Sequence, residues 1–178
     1  MAKLYFKYGA MGSSKTAQAL ITKFNYEERH MTVWLIKPAA DTRDGENIIR
    51  SRIGLTAEAE VISPNESIKE AFDKHGRDDV IIVDEENIPV LCFGLRTDFQ
   101  THTFPGSKRL LELADSITEI KTICSCGSKA VVNARVGEDG YVVTEGSQVL
   151  LGGNDCYVAM CHKCWKNAIK NHLKVEKI

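Results

Sequence analysis

The sequence predicts an α/β protein, a parallel sheet flanked by helices, with a smaller β-rich module appended to it. Three observations lead there. Short apolar runs rich in β-branched residues alternate with stretches of helical periodicity. A glycine-containing loop joins the first apolar run to the first helical stretch, and two cysteine pairs, Cys124-Ser125-Cys126 and Cys161-His162-Lys163-Cys164, frame the last third of the chain. Its 178 residues suffice for one substantial domain and a small appendage, expected as domains 1–123 and 124–178.

Leu4-Tyr5-Phe6-Lys7-Tyr8 reads as the first strand, and Ala17, Leu20, Ile21 and Phe24 recur at helical spacing after it. Between them lies Gly9-Ala10-Met11-Gly12-Ser13-Ser14-Lys15-Thr16. Strand, glycine loop and helix in this order form a P-loop, in which loop N–H groups and the positive helix end surround a phosphate. A lysine reaches the terminal phosphates and a hydroxyl binds magnesium. Lys15 and Thr16 fit those two roles, so ATP and Mg2+ are the expected ligands. Ser14 stands where the motif has glycine, which leaves a plain strand-to-helix turn with an N-cap serine as the competing reading.

Met31 to Ile36 reads as a second buried strand, closed by Lys37-Pro38. The polar segment from Asp41 to Gly54 falls where a parallel strand opens onto a ligand crevice. Arg43, Arg50 and Arg52 could bond phosphate oxygens in pairs, and Asp41 could orient a magnesium-bound water. Ser67 to His75 is expected to be a short helix with Ile68, Ala71 and Phe72 on its apolar face and His75 as its C-terminal cap. Asp79-Val80-Ile81-Ile82-Val83-Asp84-Glu85 has the form of a Walker B segment. Asp84 would hold magnesium, and Glu85 could take a proton from an attacking hydroxyl.

The next connection is physically awkward. Only Glu86, Asn87 and Ile88 separate the carboxylates from Pro89-Val90-Leu91-Cys92-Phe93-Gly94, another buried run. A parallel crossover takes about a dozen residues or more. Either the two strands are antiparallel or a crossover segment is missing from this chain, and the surrounding pattern favours the second.

Leu95 to Gly106 forms a loop in which Phe99 and Phe104 could make an apolar slot for a flat ring. A helix with Leu110, Leu111 and Leu113 follows, then a strand from Thr118 to Ile123. Beyond it come short β segments with a hairpin at Glu138-Asp139-Gly140. Cys124, Cys126, Cys161 and Cys164 can supply four thiolates to a closed, structural zinc site. His162 is a competing ligand, and Trp165 could pack over the site. Gln148-Val149-Leu150-Leu151-Gly152-Gly153 followed by Tyr157 joins an apolar strand to bare backbone that a ligand could approach closely.

Lys and Arg number 23 against 24 Asp and Glu, which argues against a nucleic-acid partner. No apolar run approaches the roughly 20 residues that span a bilayer, and the chain opens on a strand, so no membrane partner and a cytoplasmic location are expected.

Taken together, these stretches resemble the type II thymidine kinases, the cytosolic and bacterial family, over nearly the whole chain. The loop GAMGSSKT, the segment DTR, Asp84-Glu85 after VIIV, the run GLRTDF, the segment KTICSCG, and VLLGGNDCY leading to CHKC fall in the family's order. The resemblance implies a RecA-like P-loop core and a zinc-bearing lasso domain closing over the nucleoside. It implies transfer of the γ-phosphoryl of ATP to the 5′-hydroxyl of thymidine, and of deoxyuridine, in a homotetramer with dTTP as feedback inhibitor. Glu85 matches the family's general base. Gly9 to Thr16, Asp41, Arg43 and Asp84 match the ATP and magnesium contacts. Met11, Leu95, Phe99 and Phe104 match the thymine pocket, while Gln148, Val149, Leu150, Leu151, Gly152 and Tyr157 match the lasso. The four cysteines match the zinc ligands. The family's Gln-Phe pair and the helix after the acidic pair have no counterpart here. A P-loop ATPase or switch without a nucleoside substrate is the alternative, and a zinc module binding nucleic acid is a third.

Overall fold

The computed structural model describes residues 3–39, 41, 44–63, 66, 68–76, 78–83, 90–148 and 156–176. Its strands are β1 (Leu4–Tyr8), β2 (Val33–Pro38), β3 (Ile48–Arg50), β4 (Thr56–Glu58), β5 (Glu60–Ile62), β6 (Val80–Ile82), β7 (Val90–Gly94), β8 (Ser116–Glu119), β9 (Thr122–Ile123), β10 (Lys129–Ala130), β11 (Val132–Arg135) and β12 (Tyr157–Met160). The helices are α1 (Lys15–Glu27), α2 (Ile68–His75), α3 (Pro105–Leu113) and α4 (His162–Lys170). The chain forms two compact units, one of Met1–Lys7, Ser14–Phe93 and Leu111–Thr118, the other of Tyr8–Ser13, Gly94–Leu110 and Glu119–Ile178.

The first unit carries the central sheet, in the order β5-β2-β6-β7-β1-β8. Strands buried on both faces read as continuous apolar runs, and Val80, Ile81 and Ile82 are at most 1 % exposed. β2 runs parallel to β5 and to β6, with Trp34 opposite Ile81. The β6–β7 pair is parallel too, Ile81 opposite Val90, so the antiparallel option is excluded. Parallel pairing makes the seven-residue chain from Val83 to Pro89 unusually short for a crossover, and Val83 at its start has φ 115, a real outlier for a β-branched residue.

α1 lays Ala17 and Leu20 on the sheet side, where Leu20 joins Leu35, Val80, Ile82 and Leu91. Ile21 and Phe24, read as part of that face, are instead 45 % and 59 % exposed. The arginine-rich segment read as a loop is a hairpin, β3 against β4 with Arg50 opposite Thr56. Its base is pinned by Lys37, a buried lysine whose Nζ donates to the carbonyls of Gly45 and Ile48, both at 2.9 Å. His75 does not simply cap α2. Its ring stacks on Trp34 at 4.7 Å, with Nδ1 2.8 Å from Glu60 and Nε2 2.9 Å from Asp78.

The second unit holds the cysteine module and the 94–110 segment. The run Thr118 to Ile123, read as one strand, is broken into β8 and β9. β11 pairs antiparallel with β12, Arg135 opposite Tyr157. The predicted hairpin closes through Gly140 N–H to the Gly137 carbonyl and the antiparallel bridge Val136–Val142. Small residues, Ala130, Val132, Ala134 and Ala168, make its core together with Met160, Cys124 and Cys161.

Candidate functional site

The P-loop leaves β1 and turns twice into the left-handed region, at Gly12 (φ 74) and Ser14 (φ 61). Curled backbone of this kind gathers N–H groups into an anion-binding concavity. Gly9 is required by contact, since a Cβ there would lie 2.4 Å from the Ile120 carbonyl oxygen and from Ser13 Oγ. Gly9 and Ala10 are buried, Ser13 is 3 % exposed, and its N–H donates to the Ala10 carbonyl. Ser14 is the N-cap residue of α1, but its side chain makes no cap hydrogen bond. The serine occupies a conformation that glycine adopts without strain.

Lys15 and Thr16 open α1 and are half-buried. Desolvation, and secondarily the Arg52 guanidinium, pull Lys15 from its ordinary value down to about 8. A cation held at such cost suits a bound anion, whose charge would restore the ammonium form. Arg52 therefore shares the electrostatics of Lys15, from the tip of the β3–β4 hairpin. Asp41 is described, its N–H donating to the Pro38 carbonyl at 3.0 Å. Arg43, Asp84 and Glu85 lie outside the described residues, as do Val149, Leu150, Leu151 and Gly152. β6 ends at Ile82, two residues before Asp84 in the chain.

In the second unit, Met11 is held by its N–H donating to Asn133 Oδ1 at 2.7 Å, and Asn133 Nδ2 donates to the Thr97 carbonyl at 2.9 Å. Asn133 is only 3 % exposed, so this bridge is shielded from water. Leu95 accepts from Ser107 Oγ at 2.6 Å, and Phe104 accepts the Lys108 N–H that begins α3. Phe99 is 1 % exposed and lies under the Arg135 guanidinium at 3.8 Å. Arg135 reaches Tyr157 Oη at 2.7 and 3.1 Å and the carbonyls of Ser147 and Gln148 at 2.9 and 3.3 Å. Asp98 accepts the N–H groups of Gln100 and His102, and its second oxygen accepts from Gln148 Nε2 at 3.0 Å. The roles of Asn133, Arg135, Asp98 and Lys37 escaped the sequence reading, because the partners of a buried polar group are set by the fold and leave no periodic signal.

A candidate metal centre is legible in both sequence and structure. The Sγ atoms of Cys124, Cys126, Cys161 and Cys164 all lie within 4.8 Å of one another, with Cys126 and Cys161 at 3.7 Å. Four thiolates about 2.3 Å from a tetrahedral Zn2+ would be about 3.8 Å apart, so the donor set fits that ion. Hydrogen bonds from Ser128 hold Cys126 down to about 6. Hydrogen bonding to Cys126 pushes Cys164 up to about 12. His162 is not in the group and stands edge-on to Trp165 at 6.3 Å, while Trp165 packs against the core around Cys124 and Cys161.

A family profile described as thymidine kinase matches residues 2–87 and 77–165. Among similar proteins, the thymidine kinase of Ruegeria pomeroyi is 40 % identical over 189 residues, covering 94 % of this chain and 96 % of its own. That of Enterobacteria phage T4 is 40 % identical over 191 residues, covering 96 % and 98 %. That of Legionella pneumophila is 43 % identical over 188 residues, covering 93 % and 90 %. These alignments are longer than the 178 residues here, so the relatives carry residues with no counterpart in this chain. The profile's two stretches overlap at 77–87, on the short β6–β7 connection.

Proposed function

We infer, from the premise that this chain belongs to the thymidine kinase family, how its residues divide the work. The protein is a kinase that phosphorylates thymidine with ATP, and full-length similarity to thymidine kinases is the observation that carries this. We assign the γ-phosphoryl as the transferred group, the 5′-hydroxyl of thymidine (and of deoxyuridine) as its acceptor, and dTMP as the product. Phosphoryl transfer asks little covalent chemistry of the protein, so positioning and charge carry the rate.

On this reading the backbone of residues 9 to 14 cradles the phosphates. Lys15 binds the terminal ones, with Arg43 and Arg52 as further cations, and Asp41 orients a water. Thr16 and Asp84 would hold magnesium, which neutralises charge on the phosphate oxygens when bound. Glu85 takes the proton of the 5′-hydroxyl. Met11, Leu95, Phe99 and Phe104 line the thymine site, and Gln148 to Gly152 with Tyr157 hold the base from the lasso. Structural zinc on the four cysteines organises residues 124–178. A cytoplasmic homotetramer inhibited by dTTP completes the assignment. The switch alternative is not favoured.

The direct test is ADP formation with and without thymidine. We expect release to depend on thymidine and to be matched by dTMP. A rate equal without thymidine would overturn the reading.

The lowered Lys15 value makes ATP binding pH-dependent. Below about pH 8 the free enzyme offers the ammonium; above it the proton must be taken up on binding. KM for ATP should therefore rise between pH 7.5 and 9.5, and removing the nearby cation in Arg52→Gln should move that rise to higher pH. A KM for ATP flat across the range would refute this.

A further inference from the structure

We propose that Arg135 is a positioning residue for the nucleoside site, one guanidinium plane fixing Phe99, Tyr157 and the backbone at Ser147 and Gln148 together. The proposal rests on the reading that Phe99, Gln148 and Tyr157 contact the base. What singles Arg135 out is how completely it is used. It sits at the end of β11, 6 % exposed, in a strand whose neighbours Val132 and Ala134 are fully buried. A buried arginine is tolerated only when its donors are satisfied, and here Nε, Nη1 and Nη2 all donate, to Tyr157 Oη and to two carbonyls. Among the described residues, none of its hydrogen bonds goes to a carboxylate: its partners there are one phenol and main-chain oxygens, so the charge orients neutral groups.

The face of the same plane lies 3.8 Å from the Phe99 ring centroid, and Tyr157 is 5.3 Å away. Stacking of this kind fixes the ring's tilt as well as its depth. Phe99 thus presents one face to Arg135, and its position follows the guanidinium. Asp98 ties the same region from the side. It caps the 98–102 turn through the N–H groups of Gln100 and His102 and takes the Gln148 amide on its other oxygen. Gln148 is therefore held at its backbone by Arg135 and at its side chain by Asp98. Gln100 Nε2 adds a bond to the Thr144 carbonyl at 2.8 Å. Lysine cannot replace this arrangement: an ammonium is a point charge without a plane, and it cannot stack on Phe99 while donating to three oxygens.

The test compares Arg135→Lys, Arg135→Met and Phe99→Leu, measuring KM for thymidine, KM for ATP, kcat, zinc content and Tm. We expect both Arg135 variants to raise KM for thymidine by about ten- to a hundredfold, as misplacement of binding groups does, with KM for ATP within about twofold. Arg135→Lys should keep one zinc per chain, so its effect is not loss of the fold. Should Phe99→Leu raise KM for thymidine while Arg135→Lys leaves it unchanged, the proposal is overturned although the pocket reading stands. Equal losses for thymidine and ATP with a collapsed Tm in both Arg135 variants would make Arg135 merely structural and would also overturn it. An unchanged KM for thymidine in Phe99→Leu would instead remove the pocket reading, and the proposal with it.

Discussion

Glu85→Gln is expected to lower kcat by about 10²- to 10⁴-fold, the range that a positioned general base contributes, while KM for thymidine stays within about threefold. Glutamine keeps the size and a hydrogen-bonding oxygen but cannot accept the 5′-hydroxyl proton at neutral pH. Loss of an interaction used only in the transition state lowers kcat and kcat/KM together and spares binding. The assignment rests on chain order. β6 is buried on both faces and ends at Ile82, so Asp84 and Glu85 follow the C-terminal edge of a parallel sheet, where such folds bind ligands. Steady-state kinetics with saturating ATP checks it; an unimpaired kcat would remove Glu85 from the chemistry.

Metal removal should have the second large effect. A strong chelator, or Cys161→Ser, is expected to release one Zn2+ per chain, abolish activity and lower Tm by many degrees. The core of the cysteine module consists mainly of alanines and valines around Cys124 and Cys161, and so little apolar area cannot offset the entropy of ordering the chain. Structural zinc on four thiolates contributes on the order of 10–16 kcal/mol in small domains. Cys161 also begins α4, its Sγ accepting the Cys164 N–H at 3.4 Å, so losing that thiolate frays the helix too. Metal analysis beside thermal denaturation decides the matter. A metal-free protein with unchanged Tm and full activity would refute it.

Both expectations were legible in the chain because their signals are local. Two carboxylates follow an apolar run in the Walker B pattern, and CxC and CxxC pairs suggest metal by spacing alone. Where the reading failed, the cause was non-local. Phe24 repeats at helical spacing with Leu20, yet stands 59 % exposed. Periodicity alone overestimated how far around the helix the packed face extends. The polar stretch after β2 looked like a loop because nothing in it alternates; its hairpin is held by Lys37 near the end of β2, which bonds the carbonyls of Gly45 and Ile48. His75 ends α2 as expected, and what the sequence did not show is its stack on Trp34.

The β6–β7 connection shows both sides at once. Chain length alone made a relaxed parallel crossover impossible between Glu85 and Pro89. The register across it is parallel, Val83 at its start has φ 115, and alignments with relatives run longer than this chain.

By itself, then, the sequence determined the α/β class and the grouping of the four cysteines, and it raised the phosphate loop and the acidic strand end as proposals, since each is written in short stretches whose chemistry needs only local order. Tertiary structure alone decided that Asn133 bridges Met11 to Thr97, and that Arg135 joins Phe99, Tyr157 and the backbone at Ser147 and Gln148. Those contacts bring together residues separated by tens of positions. Burial creates them: a polar group removed from water must find partners wherever the fold places them, and no local pattern records that choice.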